Sequence, residues 1–100
     1  MFCSNLINGI VLAMVSKQST YGYQIVRNIQ DIINISESTL YPVLHRLDRA
    51  GYLTSYNKVI DGRNRCYYMI THQGHMKLLQ LQHEWEKYRE VIDLLLCEKE

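Results

Sequence analysis

Apolar residues recur along this chain with two different periods, and the switch between them separates helices from a hairpin. Leu6, Ile7, Ile10, Val11, Met14 and Val15 cover more than half the circumference of a helix from about Asn5 to Ser16, which predicts burial on more than one side. Ile25, Ile29, Ile32 and Ile33 form a second helical stripe, with Ser19 or Thr20 placed to cap it and Asn34-Ile35 as a tight connection after it. Gly22 precedes Ile25 and Val26 by one turn, where a missing side chain permits close helix packing. Leu40, Val43, Leu44 and Leu47 form a third stripe at i, i+3, i+4 and i+7, and Gly51 is a natural residue to end it. Ser36, Ser38 and Thr39 offer hydroxyl caps. Pro42 cannot donate to a helical ladder, so the expected N-cap is Ser38 or Thr39 rather than Ser36.

Beyond Gly51 the pattern changes. Tyr52 to Ile60 and Arg65 to Ile70 are rich in aromatic and β-branched residues, and Asp61-Gly62-Arg63-Asn64 between them is a turn cluster that predicts a β-hairpin. Thr71 then caps a final helix running to about Cys97. At ~1.5 Å per residue it would be roughly 40 Å long, more than so small a domain can cover. Its Leu78, Leu81, Trp85, Tyr88, Ile92 and Leu95 are spaced 3, 4, 3, 4, 3, a heptad seam that Val91, Leu94 and Leu96 widen. Such a helix either folds back on its own domain or pairs with a second copy, and its length favours pairing. The predicted fold is mainly α with a small β-hairpin. Residues 1–70 form a winged helix-turn-helix unit and residues 71–100 a C-terminal dimerisation helix.

One hundred residues, 47% of them hydrophobic, make one core rather than two, and a single proline with five glycines favours regular helices. The formal net charge of +1 does not announce a nucleic-acid binder, but its distribution is uneven. Tyr41 to Tyr67 carries five basic residues against two acidic ones, whereas Glu84 to Glu100 carries three against six. A basic middle suits a polyanion, although ordinary scatter of charge would look similar. Cys3, Cys66 and Cys97 are widely spaced without a CxxC, so neither a disulfide framework nor zinc is expected, and buried or inert thiols are the simpler reading. His72, His75 and His83 lack a carboxylate or thiol in ligand register. The apolar run Leu6 to Val15 is interrupted and too short to span a bilayer, and it lacks the flanks of a signal peptide. A cytoplasmic protein without cofactor or membrane partner is expected. No P-loop, GxSxG, HExxH or paired catalytic carboxylates occur, so no enzyme is expected.

With the third stripe turned inward, Ser38, Pro42, His45 and Arg49 fall on the opposite face, flanked by Tyr41 and Arg46, and that face carries no carboxylate. Two readings fit it: the solvated side of a core helix, or a surface whose hydroxyl, imidazole and guanidinium groups meet phosphates and base edges. Lys58, Arg63 and Arg65 in the hairpin tilt the balance to the second.

The motif Tyr21-Gly22-Tyr23-Gln24-Ile25, the run Ser38-Thr39-Leu40-Tyr41-Pro42-Val43-Leu44-His45-Arg46-Leu47-Asp48, and Gly51-Tyr52-Leu53 together resemble the PadR-like family of transcriptional regulators. Arg63-Asn64-Arg65-Cys66-Tyr67-Tyr68-Met69-Ile70-Thr71-His72-Gln73-Gly74 continues the likeness, which extends from about Leu6 to Leu95. Gln24 stands where the family usually has Glu, and Arg63-Asn64-Arg65 where it commonly has adjacent arginines. The resemblance implies a homodimeric winged-helix repressor of the short subfamily with a single C-terminal helix, bound to double-stranded operator DNA. Its expected DNA contacts are Ser38, Thr39, Tyr41, His45, Arg46, Arg49, Lys58, Arg63 and Arg65. Short members that bind drugs place a Trp near the position of Trp85, so a small hydrophobic or planar effector could stack there. Plain interface packing is the competing account of Trp85. Two other classes stay open: a winged helix used only for protein interaction, and a small-molecule sensor centred on Trp85.

Overall fold

The computed structural model describes residues 2–97, with side chains from Asn5 to Cys97. Cys3 and the last charges of the acidic tail, Glu98, Lys99 and Glu100, lie outside the described side chains. The elements are α1 (Phe2–Lys17), β1 (Thr20–Tyr21), α2 (Gly22–Gln30), α3 (Glu37–Arg49), β2 (Leu53–Ile60), β3 (Arg63–Ile70) and α4 (His72–Leu96). The three strands form one antiparallel sheet in the order β1-β3-β2. One core joins Val11, Leu12 and Val15 of α1 to Ile25, Val26 and Ile29 of α2 and the full stripe Leu40, Val43, Leu44 and Leu47 of α3. Leu53 and Tyr68 of the sheet and Leu78 and Leu81 of α4 close it.

Three local expectations are corrected. Thr20 does not cap α2: it is buried in β1, opposite Tyr68, and Tyr21 is the N-cap with no side-chain cap bond. A two-residue strand has no period to read, and it exists only because β3 supplies its partner. Next, α2 stops at Gln30, so Ile32 and Ile33 lie beyond the helix, Ile32 being 77% exposed. There the amides of Ile32 and Ile33 both bond the Ile29 carbonyl, and the Gln30 side-chain amide donates to the Ile35 carbonyl at 3.2 Å, holding the reversal into α3. Finally, α3 starts earlier than Pro42 suggested, with Ser36 as N-cap. Pro42 sits in the second turn and forfeits one ladder bond to the Ser38 carbonyl, in an exposed stretch where water can satisfy it.

The hairpin turn is tighter than the sequence cluster. Only Asp61 and Gly62 form it, both at positive φ (53° and 76°), the two-residue geometry that matches strand twist. Arg63 and Asn64 instead belong to β3, paired with Ile60 and Val59.

The end of α3 and the start of α4 share one corner. The Tyr52 amide bonds the Leu47 carbonyl at 3.0 Å and the Gly51 amide bonds the Asp48 carbonyl at 3.1 Å, with Gly51 at φ +87°, a Schellman stop. The Thr71 hydroxyl donates to the Gly51 carbonyl at 2.7 Å and accepts from the Gly74 amide at 3.0 Å, the expected cap of α4. The Thr71 amide bonds the Tyr52 carbonyl at 3.1 Å. Gly74 is buried so closely against that same carbonyl that any Cβ would overlap it. A second tie joins α3 to the sheet, where the Ser55 hydroxyl donates to the Asp48 carboxylate at 2.6 Å.

Gly74→Ala should therefore cost about 2 kcal/mol or more, because the clashing atom is backbone and cannot swing away. Gly9→Ala, whose Cβ would sit 3.7 Å from that of Leu81, should be neutral or stabilising by about 0.5 kcal/mol. Urea unfolding at fixed protein concentration separates the two. In the same assay Ser55→Ala should lose about 1 kcal/mol, and no loss would remove the Asp48 tie from the account.

Candidate nucleic-acid interface

The inward stripe of α3 leaves its other side open. Ser38, Thr39, Pro42, His45 and Arg49 are all exposed. The Ser36 hydroxyl lies 3.0 Å from both the Ser38 and Thr39 hydroxyls, so the start of the helix presents a linked hydroxyl cluster. Among the described residues no hydrogen bond or ion pair within the chain engages His45 or Arg49.

Other expected contacts are placed differently. Tyr41 is half-buried near Gly22, and burial, with Glu37 and Tyr23 close by, raises its phenol pKa, so the group is a neutral hydroxyl at ordinary pH. Arg46 is exposed but turns sideways, its Nη2 donating to Asn8 Oδ1 of α1 at 3.0 Å. With the N-cap at Ser36, Glu37 falls in the first turn, one turn before Tyr41 and on the flank that also carries Asp48, beside the face of Ser38, His45 and Arg49. Carboxylates are enriched in a first turn because they complement the helix dipole, and that rule applied to Ser36 would have found it.

Strand alternation sorts the hairpin into two faces. Leu53, Ser55, Tyr68 and Ile70 face the core; Tyr56, Lys58, Arg63, Arg65 and Tyr67 lie on the other side, with Tyr21 of β1 beside Tyr67. Tyr21, Tyr67 and Tyr56 form a continuous row, with centroids 5.8 Å apart in the first pair and 5.6 Å in the stacked second pair. The Arg65 guanidinium lies 4.4 Å from the centre of the Tyr21 ring, and the Lys58 ammonium 5.2 Å from that of Tyr67. Of the three hairpin cations only Arg63 stands next to the turn, while the other two fold back along the sheet. The sequence signal of the tyrosine row is the period-two spacing of Tyr56 with Lys58 and of Arg65 with Tyr67, which puts all four on one face of the hairpin.

Burial is not what the cysteines show: both Cys66 and Cys97 are exposed. Cys66 occupies the core-side face of β3 but toward the turn, past the edge of the core. Burial, with the Cys66 side chain close by, pushes the Tyr68 phenol well up, and it stays protonated. Among the described residues no group of three or more His, Cys, Asp or Glu could hold a metal ion, and no helix is long and apolar enough to cross a membrane.

The six seam positions of α4 divide. Leu78 (8% exposed) and Leu81 (5%) are spent in the chain's own core, whereas Trp85, Tyr88, Ile92 and Leu95 are exposed. Between α1 and α4 a groove of about 260 Å³ is lined by Leu6, Gly9, Ile10, Ala13, Trp85 and Tyr88 among others.

Comparison with known proteins agrees with this arrangement. The family profile described as "Transcriptional regulator PadR-like family" matches residues 11–80. A crystal structure of a Streptococcus mutans protein superposes with a TM-score of 0.84 at 43% identity, covering 95% of this chain and 90% of that one. A transcriptional regulator from Clostridium thermocellum gives a TM-score of 0.82 at 32% identity, with 92% and 94% covered. A transcriptional regulator of Mycobacterium tuberculosis is 42% identical over 59 residues, 58% of this chain and 55% of that protein. A four-helix chain with a three-stranded wing, matched by this profile over its helix-turn-helix and hairpin, belongs to the PadR-like family of transcriptional regulators.

Proposed function

We propose that the chain is a sequence-specific, DNA-binding repressor that acts as a homodimer and is released by a small ligand or other signal. The observation that carries this reading is the outward face of α3. Its exposed Ser38, Thr39, His45 and Arg49 lie opposite four buried aliphatic residues and beside a hairpin bearing Lys58, Arg63 and Arg65. Hydroxyls and guanidinium groups suit phosphates and the major-groove edges of bases, and Glu37 suits a cytosine amino group. Tyr41 and Arg46 line the sides of the same helix and would meet the backbone. A winged helix serving protein contacts alone would call for an apolar or strongly acidic outer face, which α3 does not have.

Residues 1–70 would form the DNA-binding unit and residues 71–100 the dimerisation helix. The exposed seam Trp85, Tyr88, Ile92 and Leu95 supports pairing, because a stripe of this kind on one helix is rarely left to water. Leu78 and Leu81 would hold the helix to its own subunit and so orient the seam. A twofold pair would set its two α3 helices about one DNA turn apart, ~34 Å, for successive major grooves. The groove beside Trp85 supports an apolar or planar effector, and a change in the angle between paired α4 helices would alter that spacing. Such a regulator would work in the cytoplasm, with neither cofactor nor catalytic step.

Labelled promoter DNA from upstream of the chain's own gene, titrated by fluorescence anisotropy, tests the reading. Binding should be tighter than to scrambled DNA and should weaken steeply with salt, while Arg49→Ala and Arg63→Ala should each weaken it by about tenfold and flatten the salt dependence. Equal affinity for scrambled DNA, or indifference to salt, would end the operator hypothesis. Ile92→Glu should convert a dimer to a monomer in sedimentation velocity and abolish operator binding at the same protein concentration. A wild-type chain sedimenting as a monomer would remove the dimer.

A further inference from the structure

The motif beginning at Tyr21 is not explained by the core or by the reading helix. Tyr21 ends β1, caps α2 without a side-chain bond, and places its ring on the outer face of the sheet, away from the core-side Tyr68. What that ring touches is Arg65, whose guanidinium carbon stands 4.4 Å from its centroid, and Tyr67, 5.8 Å away. Tyr67 in turn lies between Tyr21 and Tyr56 and carries the Lys58 ammonium at 5.2 Å. Lys58 and Arg65 are cross-strand partners, so two like charges sit directly opposite each other. Each relieves that crowding by leaning diagonally onto an aromatic ring instead of towards the other.

We infer that Tyr21 and Tyr67 are positioning residues for DNA binding, which hold the Arg65 and Lys58 cations of the hairpin in fixed orientations against a phosphate backbone. The inference rests on the DNA-binding reading above and adds to it a role for the tyrosine row. A long cationic side chain in water loses much rotamer freedom when it engages a phosphate. A ring face removes part of that loss beforehand and leaves the positive charge intact, since the attraction is to the ring quadrupole and neutralises nothing. Arg65 shows the constraint most clearly. Its Nε is buried without a hydrogen bond, so this edge of the guanidinium faces the protein, and the planar group stacks on a ring where a flexible chain would otherwise sweep. Arginine suits such a stacked site through its planar shape, which lysine lacks. Arg63, next to the turn, has no ring beneath it among the described residues.

A double-mutant cycle distinguishes a ring that acts through its cation from one that merely supports the sheet. Anisotropy titrations of the same promoter duplex would compare wild type, Tyr21→Leu, Tyr21→Phe, Arg65→Ala and Tyr21→Leu/Arg65→Ala, all melted first to confirm folding. Tyr21→Phe keeps the ring and should bind as wild type does. Tyr21→Leu should weaken binding about fivefold. Once Arg65 is alanine, losing the Tyr21 ring should change affinity no further, and the salt slope should fall where Arg65 is removed but not in Tyr21→Leu, which keeps the cation. Additive losses, or a Tyr21→Leu variant with full affinity, would overturn the inference while leaving DNA binding intact. If Tyr21→Leu fails to fold, the Tyr67→Leu/Lys58→Ala cycle decides by the same criteria. A wild-type chain that binds no DNA would overturn the operator reading and this inference together.

Discussion

The peptide groups of Gly51 and Tyr52 are the point on which this structure turns. Their amides end α3 and their carbonyls receive Thr71, which starts α4, while Gly74 is packed against the second carbonyl with no space for even a methyl group. The end of α3 and the start of α4 therefore meet through backbone contacts. Backbone groups so close-packed cannot shift independently, and a rotation at the start of α4 must carry the end of α3 with it. In the proposed dimer this is the physical route by which a change along α4 reaches the DNA-reading surface. A ligand in the α1–α4 groove would act on that joint only if it binds the two dimer geometries unequally.

Charge in this chain is arranged by contact more than by total. With a net charge of only +1, attraction to a polyanion has to come from the basic middle of the chain and from geometrically defined contacts there. The outer side of the hairpin supplies such geometry: Lys58 and Arg65 lean on tyrosines, and the hairpin's one carboxylate, Asp61, sits in the turn. Asp48, at the end of α3, is turned to the other side and bonded to Ser55. Arg46 is likewise committed to Asn8, which leaves Arg49 and His45 as the unpaired side chains at the middle and end of α3.

Elements longer than two turns, or with a clear alternation, were legible in the sequence. The aliphatic stripe of α3, the Thr71 cap and the Gly51 stop all behave as their local chemistry dictates. What was not legible depends on a partner far along the chain. Thr20 looks like a cap until β3 arrives to pair with it, and Ile32 looks like core until the chain reverses one residue after the helix ends. Pro42 misled for another reason: the rule confining proline to a first turn assumes that the lost bond matters, and in an exposed helix start water removes most of that cost. The outward face of α3 was readable by rotation alone. Which of its basic side chains remain available was not, because the commitments of Arg46, Lys58 and Arg65 depend on neighbours from other elements.

The seam of α4 divides at Leu81, and that division links stability to assembly. Up to Leu81 the stripe belongs to the core; Trp85 and Tyr88 beyond it line the groove against α1, and further on the apolar residues turn outward, Leu95 being 69% exposed. The molecule is correspondingly drawn out to 60 × 26 × 21 Å, with a radius of gyration of 15.3 Å against about 13 Å for a compact chain of this length. A helix of 25 residues held at one end gains little from intrinsic propensity over its distal turns, and most helical stability in proteins comes from packing an apolar face. The distal turns of α4 thus have the sequence of a buried helix, yet Val91, Leu94, Leu95 and Leu96 are largely exposed within one subunit. Pairing would supply that burial. It would also make the order of the distal helix, the shape of the groove beside Trp85 and the spacing of the two α3 helices parts of one equilibrium, so that whatever stabilises one must bias the others.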